Sequence, residues 1–152
     1  MKRYDKLLFV SSSDTCRGPM AEAIMKSKFL LAPLKVESRG LVVLFPEPMN
    51  QKAEAVLVSN GLNIKGHTSV ALTEEDFSER CLVLTMESQQ KNKIISEYNN
   101  ACNVYSIGEY LKVDGAVKAP VGGALVDYGE CFEILDVLIK RLVVVLNEEE
   151  LL

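Results

Sequence analysis

One transition near the start of the chain restricts its architecture more than any other. The apolar run Lys6-Leu7-Leu8-Phe9-Val10 passes directly into Ser11-Ser12-Ser13-Asp14-Thr15-Cys16-Arg17-Gly18, and a helical pattern follows from Pro19. A short apolar run bounded by small polar residues reads as a buried strand, and proline suits the first position of a helix. A strand that turns through a small-residue loop into a helix N-terminus gathers backbone N–H groups beside the positive end of the helix dipole, which is an anion-binding arrangement. Arg17 sits at the seam, placed to add a bidentate fork to an oxyanion held by the loop. The anion-binding candidates are therefore Ser12, Ser13, Asp14, Thr15, Cys16, Arg17 and Gly18.

The same alternation continues downstream. Met20, Ala21, Ala23, Ile24, Met25 and Phe29 keep an apolar stripe at helical spacing, and this helix ends before Pro33. Leu34 to Gly40 reads as a second strand, a Pro-rich loop at Phe45-Pro46-Glu47-Pro48 follows, and a helix runs from about Asn50 to Asn60 with Gly61 as its cap. Gly66-His67-Thr68-Ser69 is a loop. Thr73-Glu74-Glu75-Asp76 reads as a capped short helix, and Cys81 to Met86 as a strand buried on both faces. A polar helix over Glu87 to Tyr98 and a fourth strand over Asn103 to Ile107 come next. Gly108 to Gly123 lacks periodicity and reads as a long loop, after which Asp127 to Asn147 forms a helix with apolar residues on more than one face. Glu148-Glu149-Glu150 reads as a solvated end.

Strands alternating with helices imply βαβ units and a parallel sheet covered on both sides. The expected fold is α/β: a small doubly wound sandwich with a four-stranded parallel sheet, in one domain over residues 1–152. Ligands of such sheets sit beyond the carboxyl ends of the strands, where the Ser11–Arg17 loop lies. A net charge of −4 argues against broad binding to nucleic acid or an anionic membrane. No apolar stretch is long enough for a signal peptide or a membrane span, so the expected address is cytoplasmic. Cys16, Cys81, Cys102 and Cys131 lack metal or disulfide spacing and read as reduced thiols, mostly in the core; with a single histidine, neither a metal nor a cofactor is expected.

The loop resembles the phosphate-binding loop of the low molecular weight protein tyrosine phosphatases, V-C-x-G-N-x-C-R-S-P-M-A-E. Val10, Cys16, Arg17, Pro19, Met20, Ala21 and Glu22 match it. Ser11 stands at the nucleophilic cysteine, Ser13 at the glycine, Asp14 at the asparagine and Gly18 at the serine after the arginine. Along the chain, Ser38-Arg39-Gly40 is similar to the family's Ser-Ala-Gly, His67-Thr68-Ser69 to its His-x-Ser, and Leu82-Val83-Leu84-Thr85-Met86 to its Leu-x-Met strand. Ala119-Pro120-Val121-Gly122-Gly123 resembles the Asp-Pro-Phe-Gly-Gly segment of the bacterial branch similar to phosphoarginine phosphatases, and Thr15 matches that branch too. The resemblance implies the phosphotyrosine phosphatase I-like fold and places the general acid at position 119, where an alanine stands.

The resemblance implies in-line attack by a thiolate on phosphorus, with the loop amides and arginine holding the equatorial oxygens and an aspartic acid protonating the leaving group. A serine hydroxyl does not ionise as a loop cysteine does, so Ser11 needs an adjacent base. His67, the only histidine, falls at a position that is structural in the family. Cys16 is expected to point away from the cradle. Gly18 lacks a hydroxyl, and Asp14 is expected to put a carboxylate at the rim, where Coulomb repulsion opposes phosphate. Asp114 and Asp127 are out of register as substitutes for an acid at Ala119.

Three functional readings follow. The leading one is a catalytically impaired family member, a pseudophosphatase whose Arg17 loop still holds a phosphate-like anion or a phosphorylated protein. The second is an active phosphatase on phosphotyrosine or phosphoarginine using Ser11. The third is an interaction scaffold without anion binding, acting through its surface or through an oligomer formed by the C-terminal helix.

Overall fold

The computed structural model describes residues 3–151; Met1, Lys2 and Leu152 lie outside the described residues. Strands β1 (Lys6–Ser11), β2 (Lys35–Gly40), β3 (Cys81–Thr85) and β4 (Val104–Ser106) form one all-parallel sheet in the order β2-β1-β3-β4. Between and after them run α1 (Arg17–Lys26), α2 (Gln51–Ser59), α3 (Ser88–Glu97), α4 (Ile107–Leu111) and α5 (Leu125–Val145). The chain moves from β1 outward to β2, then crosses back to β3 on the other side. That reversal opens a crevice beyond the carboxyl ends of β1 and β3, the position where doubly wound sheets bind ligands.

The central strands β1 and β3 are almost continuously apolar because each of their faces is covered, whereas the edge strand β2 alternates buried with partly exposed residues. From β1, Leu7 and Phe9 enter the larger core with Leu82 and Leu84 of β3, under α1, α2, α4 and α5. The alternate residues Leu8, Val10, Cys81 and Val83 point the other way, to a smaller core closed by Ile94 of α3, Leu72 and Phe77. Burial of a Leu or Phe side chain contributes about 1.5–3 kcal/mol, so this two-sided central pair β1–β3 fixes the platform from which the loop springs.

The caps explain several boundaries. Asn50 caps α2, its side chain accepting from the N–H groups of Lys52 and Ala53 at 2.9 and 3.1 Å. Thr73 and Asp76 cap a single 3₁₀ turn over Glu74–Asp76.

Four elements differ from the sequence expectation. The 108–123 stretch is not all loop, because α4 begins at Ile107: the Ser106 hydroxyl accepts from Glu109 N–H at 3.2 Å, and Ile107 and Leu111, four apart, are both buried. Five residues are too few to show a period. Helix α1 starts at Arg17 and α5 at Leu125, two residues earlier than the pattern suggests in each case. At the acidic C-terminal end Glu148 and Glu149 are exposed, as expected of a solvated end, but the turn that carries them is docked: residues Leu146–Glu150 form a π-turn, Leu151 is buried, and the Glu150 carbonyl accepts from Arg3 N–H at 2.7 Å.

Candidate active site

The loop from Ser11 to Arg17 is held from three sides. On the β2 side, the Ser11 and Ser12 carbonyls accept from Leu41 and Val42 N–H at 3.0 and 2.9 Å. Gly40 allows that approach, since a β-carbon there would lie 2.9 Å from the Ser13 carbonyl carbon and 2.6 Å from a Val43 methyl. From α2, Asn50 N–H donates to the Thr15 carbonyl at 2.8 Å. From the loop before β3, His67 Nε2 donates to the Asp14 carbonyl at 2.7 Å, which gives the histidine its structural role.

The carbonyls are thus pulled outward. The N–H groups of Ser13, Asp14, Thr15, Cys16 and Arg17 donate no hydrogen bond to any of the described residues. The last of these opens α1, whose first N–H groups have no intrahelical partner. A run of unpaired amides at a helix start is the physical content of an anion cradle.

Asp14 makes the turn possible. Its φ is +59°, a left-handed conformation that Asp and Asn tolerate better than most residues. The side chain lies not at the rim, as the sequence suggested, but inward and fully buried, with Oδ2 accepting from Val70 N–H at 2.9 Å. The left-handed turn and the Val70 amide together draw the carboxylate beneath the loop.

Arg17 is 3% exposed and held by three acceptors. Nη1 donates to Glu87 Oε1 at 2.5 Å and to the Val117 carbonyl at 2.8 Å, and Nη2 to Ser12 Oγ at 3.2 Å. A guanidinium carries five N–H donors. The two left over are Nε–H and one Nη2–H, donors available to an oxyanion. Gln90 stiffens the surround: its carbonyl oxygen accepts from Met86 and Glu87 N–H at 3.0 Å each, and its amide donates to Ser12 Oγ at 3.2 Å.

A family model described as low molecular weight phosphotyrosine protein phosphatase matches residues 6–151. The chain belongs to that family. It is 29% identical over 137 residues to a low molecular weight protein-tyrosine-phosphatase PtpB of Staphylococcus haemolyticus, covering 90% of this chain and 96% of the relative. It is also 29% identical over 147 residues to a protein-arginine-phosphatase of Geobacillus stearothermophilus, covering 95% and 98%. Among solved structures, the YwlE arginine phosphatase of that organism superposes with a TM-score of 0.87 at 29% identity, over 95% of this chain and 94% of the other. A cysteine-to-serine YwlE mutant with a phosphorylated active-site serine gives 0.85 at 31% identity, over 95% and 97%.

Within the family frame, the positions that differ are open to inspection. Ser11, at the cysteine position, ends β1 and is 2% exposed. Cys16 turns into the core, with Sγ 3.9 Å from Met20 Sδ, and burial pushes its thiol up to about 12. It is no nucleophile at neutral pH. Ala119 is exposed, two residues beyond Val117, which is tied on both sides: its carbonyl to Arg17 and its N–H to Met86 O at 3.1 Å. Of the carboxylates nearest in sequence to Ala119, Asp127 Oδ2 accepts from Ala124 N–H at 2.8 Å at the start of α5, and Asp114 is exposed.

Sequence reasoning missed Glu87, Gln90 and the Val117 carbonyl. The signal for Glu87 was present in the register: Val10 pairs with Thr85, so the residues after β3 emerge beside the loop after β1. The Val117 contact spans 100 positions in sequence, inside a stretch without periodicity, and had no such signal.

Proposed function

We propose that this family member binds a phosphate-like anion, free or on a phosphorylated protein, in the Ser11–Gly18 loop and does not sustain phosphatase turnover. One juxtaposition carries the reading: the unpaired loop amides and the free Arg17 donors stand beside a position where Ser11 replaces the cysteine, while Ala119 offers no acid. The binding elements and the reacting groups are different atoms, so one set persists without the other. A missing general acid alone costs roughly 10²–10⁴ in rate, and a hydroxyl in place of a thiolate lowers the covalent step further.

Steady-state assays on p-nitrophenyl phosphate, phosphotyrosine and phosphoarginine test the first half; turnover near that of a cysteine-bearing relative overturns it. Titration with inorganic phosphate tests the second. Saturable binding is expected, weakened about tenfold or more by Arg17→Ala, since a hydrogen bond to a charged partner contributes about 1.5–3 kcal/mol. If no saturable binding is seen, the scaffold reading replaces this one.

A second reading is favoured by one comparison. The solved YwlE variant with serine at its active site carries that serine phosphorylated. By this precedent Ser11 accepts a phosphoryl group once and keeps it, which is compatible with the absence of turnover.

A further inference from the structure

The centre of the site contains polar atoms that the family's reaction does not use. A β-carbon on Gly18 would stand 3.1 Å from Ser11 Oγ, 3.2 Å from Asp14 Oδ1 and 3.3 Å from Ser38 Cβ. Glycine therefore leaves open a small space on which a serine hydroxyl and a carboxylate oxygen converge. Asp14 Oδ1 is buried without a well-formed hydrogen bond; its neighbour is the Ser38 hydroxyl, which is itself otherwise unpartnered. Buried carboxylate oxygens are ordinarily paired, and an orphan is costly unless something occupies it for part of its working cycle.

We propose that Asp14 is the proton acceptor for Ser11, and that the pair makes the loop a single-use phosphoryl acceptor. This rests on the anion-binding reading above. The step is in-line transfer: Ser11 Oγ forms a bond to phosphorus, the bond from phosphorus to the donor's oxygen breaks, and the electron pair leaves with that oxygen. The Oγ proton passes to Asp14 Oδ1, directly or through one water. No acid is required where the donor oxygen departs as a stable anion, which fits an alanine at 119. Charge also favours the step. An ionised Asp14 repels the arriving phosphoryl group, and taking up the proton neutralises it as the new phosphoserine forms. Release by hydrolysis then needs a base for the attacking water, and position 119 supplies a methyl group.

The groups facing Asp14 set its readiness. Burial pushes its carboxyl up from the ordinary range, against the Ser38 hydroxyl, the Val70 N–H and His67, and Glu22 of α1 adds to the upward push. His67 Nε2 is 3.9 Å from Oδ2. A buried carboxyl held above its usual range and next to a hydroxyl is a better proton acceptor than a solvated one.

The full-length chain is mixed with p-nitrophenyl phosphate, and nitrophenolate release and intact mass are followed together. The expected result is a burst of at most one equivalent, one phosphoryl group mapped to Ser11, and a rate that rises with pH as Asp14 ionises. Asp14→Asn should slow the burst by about 10²-fold or more and flatten the pH profile. Gly18→Ala, which fills the gap while leaving Asp14 in place, should slow it as well and serves if the first variant fails to fold. Equal rates and pH profiles in wild type and variants overturn the proposal. So does an unmodified Ser11 in a wild-type chain that still binds inorganic phosphate saturably, and that outcome leaves the anion-binding reading standing. If phosphate does not bind either, both fall.

Discussion

The loop at residues 11–18 and the segment at 112–124 meet at one residue and are built in opposite ways. The first is buried apart from Ser12, Ser13 and Thr15, with its carbonyls tied to β2, α2 and the His67 loop, so that its free amides converge. The second is largely exposed, pinned at Val117 and again where Lys52 Nζ donates to the Gly123 carbonyl at 2.7 Å. The proposed anion cradle is thus part of the fold's core, whereas Ala119, where the resemblance puts the family's acid, is a surface residue on a tethered strap. Substitution at 119 leaves the cradle's hydrogen bonds untouched. That division would let chemistry and fold change independently.

The sharpest way to break the comparison is to restore both chemical positions at once. Ser11→Cys with Ala119→Asp should convert the chain into an enzyme measurable on p-nitrophenyl phosphate, with the aspartate alone responsible for about 10²–10⁴ of the gain over Ser11→Cys. If the double variant stays inactive while its thiol is titratable near neutrality, the strap does not bring position 119 to the site, and the two regions are less aligned than the Val117 tie suggests.

A smaller effect isolates the tie between the regions. Glu87→Gln keeps an acceptor for Arg17 Nη1 but removes the opposing charge 2.5 Å away. Inorganic phosphate should bind a few-fold more tightly, and the gain should shrink with added salt, as expected for a partly exposed carboxylate. Weaker binding instead would mean that the charge of Glu87, more than its geometry, keeps the guanidinium turned to the anion.

How much of this was visible beforehand follows the same division. The sheet, its four strands and the loop's place beyond the carboxyl end of β1 were legible, because two-sided burial writes continuous apolar runs and proline and asparagine mark helix starts. The departures at Ser11, Asp14, Gly18 and Ala119 rest on the family resemblance alone. The direction of the Asp14 side chain was not legible: a loop carboxylate reads as solvated until the Val70 N–H, 56 positions away, is seen to donate to it below the loop. Helix α4 was hidden because a single turn has no period, and the docking of the acidic end because charge runs usually face water.

The smallest expected effect concerns the fold rather than activity, and it tests whether Asp14 carries the cost that its burial implies. Its carboxyl is pushed up from the ordinary carboxylate range, chiefly by desolvation. A carboxyl with a higher folded-state value binds its proton more readily folded than unfolded, so stability is fully present below the unfolded-state value and declines as pH rises through the folded one. Asp14→Asn removes that decline while an amide oxygen still accepts from Val70 N–H, and the new NH₂ gains a use for the orphan beside Ser38. The variant's Tm, followed by calorimetry, should exceed that of the wild type by a margin that widens from pH 4 to pH 7. One kcal/mol corresponds to about 2–4 °C in a chain of this size, so a gap of a few degrees is within reach of the measurement. A margin that stays constant with pH, or reverses, would show that Asp14 is compensated in the native state by His67 and the loop amides, and would place its charge with the binding elements rather than with the chemistry.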